Sequence, residues 1–588
     1  VQKAASDPLV RQTEGAFTVR ALVTGVLLAA VLSLCNIYSG LKIGWGFNMS
    51  ITSALLAFAF WQALAAVKLA RPMGLHENMV NQTGASAGAN ISSAGLVAPI
   101  PALAYLTGQT LDYGWLALWT LTVAWVGVVV GMGLRRPMIV EDDLPFPGGV
   151  AISETVREMY ARGDEAVARV TALLTGGGIA AATKLLVAVF KIPKAAIPGA
   201  FTLANGTPVS LYNLTFALDP SFFLFAVGFL TKPKVGFSML LGAVVGFGLL
   251  VPDAIGRGYI EPGAPDQGWF LNMNEYLLWP GVALMVTSAL TSFAFMIPML
   301  VRALRTRRTS TEDDGDVSSG TFWRALVVVG VLSVGLQVYL FSISTFAAAI
   351  GIVLTFLLAV VAGRVSGETG ITPVGPMGKV TQLAFGVIAP SNPTANLMAA
   401  NVTGGAASQV GDMLHDLKAG RLLGSRPRHQ FGAQAVGVIG GALAGSAAYL
   451  VVLPDPKNML FTEQWPAPAA AQWRGVAELL SEGLEALPTG ALTVAVGAGL
   501  VGVVLSLLER LAPERLAVFV PSSVAVGLAM VIPAYYAVSL FIGTVTFLAL
   551  RKLLPQWTER FAVVVASGLI AGESLMGIGI ALRKIATS

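Results

Sequence analysis

The sequence predicts an all-α polytopic membrane protein, and three observations carry that reading. Of 588 residues, 55% are hydrophobic and only 12% charged, about half the charged share of a soluble chain. The mean hydropathy is +0.73. Apolar runs recur along the whole chain at the length needed to cross a bilayer core, roughly 20 residues for about 30 Å. No polar stretch is long enough for a separate soluble domain; the longest lie at 254–275, 301–323 and 454–487.

The apolar runs lie at about 18–38, 46–67, 80–106, 114–134, 168–190, 213–230, 234–252, 276–300, 324–342, 345–363, 372–390, 393–412, 431–453, 488–508, 517–550 and 561–582. The run 517–550 reads either as one long span or as two pieces around Pro533. About 16 spans are expected, in an N-terminal half (1–300) and a C-terminal half (324–588) joined by a cytoplasmic loop at 301–323. That loop carries Arg302, Arg305, Arg307 and Arg308, then Glu312, Asp313, Asp314 and Asp316. Basic residues favour the cytoplasmic side. With Lys3, Arg11 and Arg20 inside, alternating spans also put Lys68, Arg71, Arg135, Arg136, Lys232 and Lys234 inside, and the Lys418–Arg428 stretch too if 372–390 and 393–412 each cross. Arg583 and Lys584 do not settle the C-terminal spans, and the net charge of +5 gives no reason to invoke nucleic acid. The single cysteine, Cys35, leaves no internal disulfide or cysteine metal cluster. No small-residue cleavage site follows the first run, which reads as a retained span.

Three segments interrupt the apolar pattern with Gly, Ser, Asn, Gln and Pro: 76–103, 144–158 and 366–412. Irregular backbone at membrane depth is tolerated only inside protein or along a watery cavity. Such interrupted segments point to a transporter's binding site. A faint repeat links two of them. NQTGASAG (81–88) matches NVTGGAAS (401–408), and Ser39-Gly40 before Gly44 matches Ser366-Gly367 before Gly370. The members of each pair fall on opposite sides in the expected topology, the pattern of inverted-repeat halves. Spacings such as Gly127/Gly131, Gly242/Gly246 and Gly437/Gly441 read as close helix crossings.

An ionisable side chain inside a span costs at least ~2.5 kcal/mol and needs a reason. Glu77, Gln82, Glu368, Lys379, Gln382 and Asn401 are the candidate substrate-binding residues, since they belong to the interrupted segments. Glu573, in the last span with no basic neighbour in sequence, and Glu154 are the candidate proton-coupling groups. Each has a structural alternative: a helix-end acid for Glu77 and Glu154, a bond to a neighbouring helix for Glu573. Lys42 reads equally as a lysine reaching for the interface. Gly84-Ala85-Ser86-Ala87-Gly88 fits the hydrolase pattern G-x-S-x-G, but His76, His415 and His429 all lie outside the clear spans, leaving the serine without a base. Neither a phosphate-binding loop nor H-E-x-x-H is present, so no ATPase site, enzyme activity, cofactor or bound metal is expected.

Several motifs resemble one family. NIYSGLKIGWGFNMSI (36–51), the NQTGASAG region, LPFPGGVAISE (144–154), GETGITPVGPMGKVTQL (367–383), DMLHDLKAGRLLGSRPRHQ (412–430) and ASGLIAGESLMGIG (566–579) are similar, in order, to the oligopeptide transporter family. That family includes the yellow-stripe-like transporters of metal chelates. The peptide-carrying eukaryotic branch has N-P-G-P-F and K-I-P-P-R where this chain has Ser391-Asn392-Pro393-Thr394 and Lys191-Ile192-Pro193-Lys194. The resemblance is therefore closer to the yellow-stripe-like and prokaryotic members. It implies a proton-coupled symporter importing short peptides or peptide-like metal chelates, in a bacterial inner membrane, with a homodimer among the open oligomeric states. A passive channel or facilitator for small polar solutes is the alternative.

Overall fold

The computed structural model describes residues 15–161, 163–305 and 317–587. Lys3, Arg11, Arg307, Arg308 and the acidic run Glu312–Asp316 lie outside the described residues. The chain is helical almost throughout. The first half contains α1 (Val19–Ile43), α2 (Ser50–Ala66), α3 (Leu75–Ala89), α4 (Pro99–Thr107), α5 (Tyr113–Arg135), α6 (Pro147–Ala161), α7 (Gly163–Phe190), α8 (Phe222–Leu230), α9 (Pro233–Ala243), α10 (Val251–Gly256) and α11 (Phe270–Arg305). The second contains α12 (Ser319–Phe341), α13 (Thr345–Thr369), α14 (Val374–Ile388), α15 (Pro393–Leu423), α16 (Pro427–Val452), α17 (Pro456–Met459), α18 (Pro468–Glu482), α19 (Ala491–Leu511), α20 (Glu514–Ala517), α21 (Ser523–Val531), α22 (Ala534–Leu553) and α23 (Pro555–Thr587). Twelve helical stretches among the described residues are long and apolar enough to cross a membrane.

Differences from the expected spans have local causes. The run 80–106 is split into α3 and α4 by a tight turn and an irregular stretch, with Gly95 at φ 125° and Pro99 opening α4. The run 517–550 is two helices, because Pro533 cannot continue α21 and instead precedes α22. The run 213–230 is helix only in its second half, α8. Two small antiparallel ribbons occupy 195–218, pairing Ala195–Ala196 with Ala217–Leu218 and Ala200–Thr202 with Pro208–Ser210. The loop expected at 454–487 contains α18, whose Ala470, Ala471, Trp473 and Val476 are buried.

Contacts between helix ends define two faces. Arg20 at the start of α1 pairs with Glu77 at the start of α3. His76 meets Ser425, just past α15, at 2.9 Å. At the end of α13, Arg364 reaches Asp142 at 2.6 Å, and Lys418 of α15 reaches the adjacent Asp143 at 2.9 Å. The Lys418 ammonium holds the Asp143 carboxyl below the usual carboxylate range. This basic face is opposed by a far face where Ala467 N–H donates to Leu41 at the end of α1 and Gln109 donates to Leu340 at the end of α12. Helices α1 and α13 are both 25 residues long and both end on a left-handed glycine, Gly44 (φ 75°) or Gly370 (φ 77°). α1 runs away from the basic face and α13 runs toward it. α3 and α15, which carry the matched Asn-x-Thr-Gly segments, are likewise opposed.

Glycine sets the core spacing. α3 and α16 cross backbone to backbone: a methyl at Gly437 would lie 2.0 Å from the Gly84 carbonyl oxygen, and one at Gly441 would lie 2.2 Å from that of Gly88. No side chain can swing away to relieve such a contact. Gly437→Ala is expected to destabilise by about 1–3 kcal/mol, the usual range for overpacking, read as a lowered unfolding temperature in detergent. Gly178→Ala, where the added methyl meets nothing within 4 Å, should leave that temperature unchanged or higher.

Candidate functional site

After Gly44 the chain does not form a simple external loop. Residues 44–49 fold back along α1 and are pinned by Asn36, which donates to Phe47 O and Ala89 O (3.0 Å each) and accepts from Phe47 N–H (2.9 Å). Asn36 lies seven residues before Ile43, roughly 10 Å down the helix. Irregular backbone at that depth needs protein or water around it. Gly46 and Asn48 are exposed, and Asn48 lines a crevice of about 130 Å³ between α2, α7 and α23.

Beside this loop the first and third interrupted segments meet through a pair of carboxylates one helical turn apart on α15. Ser86 Oγ donates to Asp416 Oδ2 (2.9 Å) and lies 3.2 Å from Asp412 Oδ2. Gln434 Nε2 of α16 reaches the same two oxygens at 3.2 and 3.3 Å. Gln82 Nε2 and Ser50 Oγ approach Asp416 Oδ1 at 3.3 and 3.4 Å, and Asn48 Nδ2 approaches Asp412 Oδ1 at 3.4 Å. Asn90, Ser408 and Gln409 continue the polar layer toward the far face. Ser86 thus faces carboxylates. His415 bonds Ser366 Oγ and Gly149 N–H instead, on the side of α6 and α13, so the G-x-S-x-G segment assembles no serine–histidine pair here.

A second polar group lies between α14, α15 and α18. The fully buried Lys379 donates to Gln382 Oε1 (2.8 Å), lies 4.6 Å from the Trp473 ring centre and has Gln472 O at 3.5 Å. Gln382 in turn donates to Asn396 Oδ1 and Trp473 O. Asn401 accepts from Trp119 Nε1 (2.8 Å), while its own amide nitrogen has no partner.

A third group opens toward the far face. Lys42 Nζ donates to Tyr536 OH (2.7 Å) and sits 5.2, 5.4 and 6.0 Å from the rings of Trp465, Tyr536 and Tyr38. No carboxylate among the described residues lies within ion-pair distance of it. Trp465 and Glu463 also line an open pocket of about 400 Å³ with Gly268, Asn458 and Thr462. Lys194 pairs with Glu463 (2.5 Å) and covers the Tyr535 ring at 4.0 Å.

The remaining sequence candidates are placed as follows. Glu77 is held by Arg20, Arg71 and Thr18 at the basic face. Glu368 pairs with Arg364 at that face. Glu154 is exposed on α6. Glu573 does have a basic neighbour, supplied by another helix: Lys184 of α7 lies 3.4 Å away, and Ser221 Oγ and Phe223 N–H donate to the carboxylate at 2.7 and 3.0 Å. Asp412 and Asp416 were not among the candidates. An apolar run ending at 412 leaves them in a basic stretch that reads as loop; the available signal was their i, i+4 spacing, which puts both on one helix face.

The OPT oligopeptide transporter protein family matches residues 16–583. The chain belongs to this family. Its members cover nearly the same length. YGL114W of Saccharomyces cerevisiae, a protein named provisionally as an oligopeptide transporter, is 24% identical over 95% of each chain. The metal-nicotianamine transporter YSL2 of Arabidopsis thaliana is 23% identical over 95% of this chain and 92% of its own. YSL1 of the same plant is 22% identical over 97% and 91%. The protein is therefore an integral membrane transporter of the OPT family.

Proposed function

We propose that this OPT transporter is a proton-driven importer of short peptides or peptide-like metal chelates, with its basic face in the cytoplasm, as expected for a bacterial inner membrane. The observation that carries the substrate reading is the far-face group. There an unpaired ammonium, Lys42, and a Lys194–Glu463 pair stand among four aromatic rings beside an open pocket. Peptides and aminocarboxylate chelates present both carboxylates and amines, and this group offers a partner for each. Names of the plant relatives agree with the chelate side of the reading, that of the yeast relative with the peptide side. A membrane potential of 100 mV contributes about 2.3 kcal/mol per charge moved, so one or two protons suffice for accumulation.

The test is uptake into proteoliposomes of a labelled dipeptide and of a nicotianamine–metal chelate, with and without an inward proton gradient. Accumulation above equilibrium only with the gradient is expected; flux indifferent to it would make the protein a facilitator. Lys42→Met should raise the KM for substrates with a free carboxylate by about tenfold, the equivalent of ~1.4 kcal/mol. Carboxamide analogues should lose far less.

A further inference from the structure

The contact between the interrupted segments contains a charge problem that the far-face group does not. Asp412 and Asp416 share both of their closest donors, Ser86 and Gln434, through the same pair of oxygens. Asp416 is fully buried. The groups that face the pair from α2, α3, α16 and the 44–49 loop are Ser50, Gln82, Ser86, Gln434 and Asn48, all uncharged. The charged groups of the surrounding elements are engaged elsewhere. On α15, His415 bonds Ser366 and Gly149, while Lys418 and Arg421 hold Asp143. On α3, Glu77 is taken by Arg20 and His76 meets Ser425. On α16, His429 lies tilted against the Phe17 ring and Arg428 is exposed. Two carboxylates that share the same donors, one fully buried and the other only partly exposed, with no cation beside them, do not both ionise.

A second observation points to the missing proton. Gln82 is fully buried, and its amide nitrogen touches Asp416 and Thr83, yet its Oε1 has no donor. A half-turn of that amide would set Oε1 against Asp416 Oδ1, where a carboxyl O–H would supply the donor.

We propose that Asp412 and Asp416 form a single site that holds one proton at neutral pH and is the proton-carrying site of transport. The second half of this statement rests on the proton-coupled reading above. The proton sits on Asp416 Oδ1 beside Gln82, and one negative charge remains on the facing Oδ2 side of the pair, solvated by the Ser86 and Gln434 donors. Asn48, exposed in the crevice and 3.4 Å from Asp412, marks the side from which water reaches the pair. Loss of the proton leaves two adjacent charges on one face of α15, which favours entry of water past Asn48 to solvate them.

Infrared difference spectra of the purified full-length protein test the site itself. A protonated-carboxyl C=O band is expected at neutral pH, absent from both Asp412→Asn and Asp416→Asn, because either change leaves a lone, ionised carboxylate among donors. No such band in the wild type, or a band that survives in both variants, overturns the assignment. Transport tests the role. Asp416→Asn is expected to retain counterflow exchange of substrate yet lose pH-gradient-driven accumulation at least tenfold; full accumulation in that variant overturns the role. Accumulation by the wild type that follows a sodium gradient alone overturns the proton-coupled reading, while the infrared result still decides whether the pair holds a proton. Asp416→Glu, which keeps a titratable carboxyl, serves where the Asn variant does not fold and should keep the band.

Discussion

Lys184→Met is expected to lower the unfolding free energy by about 1–3 kcal/mol, less than the cost of breaking a fully buried ion pair because the lysine is about a quarter exposed. Glu573 is 2% exposed and sits where three helices converge: its own α23, α7 through Lys184, and the start of α8 through Ser221 Oγ and Phe223 N–H. The carboxylate thus serves α8 as an N-terminal cap from outside the helix, at the end where the dipole favours negative charge. Removing the lysine strands that charge. Glu573→Gln should cost less, since an amide oxygen can still accept from Phe223, and the double variant Lys184→Met/Glu573→Gln should be more stable than Lys184→Met alone. Denaturant or thermal unfolding of the four proteins in one detergent gives the coupling energy directly. The same variants speak to transport. Read from sequence, Glu573 is an isolated intramembrane acid suited to carry a proton. In the folded protein it is bound by an ammonium and two donors, the partners of a structural group. Glu573→Gln is therefore expected to lose stability and retain gradient-driven accumulation; uncoupled transport with intact binding would return the proton-carrying role to Glu573.

The contrast between Glu573 and Asp416 shows what was legible in the sequence. An apolar run of the right length reports that a helix crosses the bilayer, so α1, α5, α7, α13, α16 and α23 were each recognisable within a few residues. Gly and Pro report where helices break, and Pro533 and Pro99 do interrupt the chain. The partner of a buried charge is not encoded locally. Lys184 and Glu573 are 389 positions apart, and Ser86 and Asp416 are 330 apart; only the packing of α7 on α23 and of α3 against α15 brings them together. Hydropathy also misplaced the end of α15. Its last turns carry Asp412, His415, Asp416, Lys418 and Arg421, a composition that reads as loop, yet His415, Asp416 and Lys418 are buried and the other two only partly exposed, because α6, α13 and α16 close around them. Conversely, the sequence grouped Glu77 and Glu368 with the interrupted segments, but both are engaged by arginines at the basic face. A residue's distance along the chain from an interrupted segment does not fix its depth.

Lys379→Met is expected to make the protein more heat-stable and a poorer transporter. The ammonium is fully buried, and its polar neighbours are the neutral Gln382 and a main-chain carbonyl, with the Trp473 face supplying a cation–π contact. No carboxylate among the described residues pairs with it. Taking a charge out of water costs several kcal/mol, and replacing buried ionic groups by apolar side chains of similar size is often stabilising by 1–4 kcal/mol. Methionine matches the length and flexibility of the lysine stem and can lie on the same indole face. A cost of this kind persists where it serves function. The position agrees: α14 and α18 both enter the protein among longer helices, and Gln382 ties Lys379 to Asn396 on α15 and to the α18 backbone. We propose that the ammonium meets a substrate carboxylate when these elements part. Uptake by Lys379→Met should fall at least tenfold, about 1.4 kcal/mol of lost binding. Lys379→Arg, which keeps the charge but is too broad for the slot beside Gly378 and Trp473, should lose both stability and uptake. Thermal unfolding in detergent and proteoliposome uptake on the same preparations separate the two effects. A Met variant that is both more stable and fully active would make Lys379 a structural residue, held by Trp473 and Gln382 and never presented to substrate.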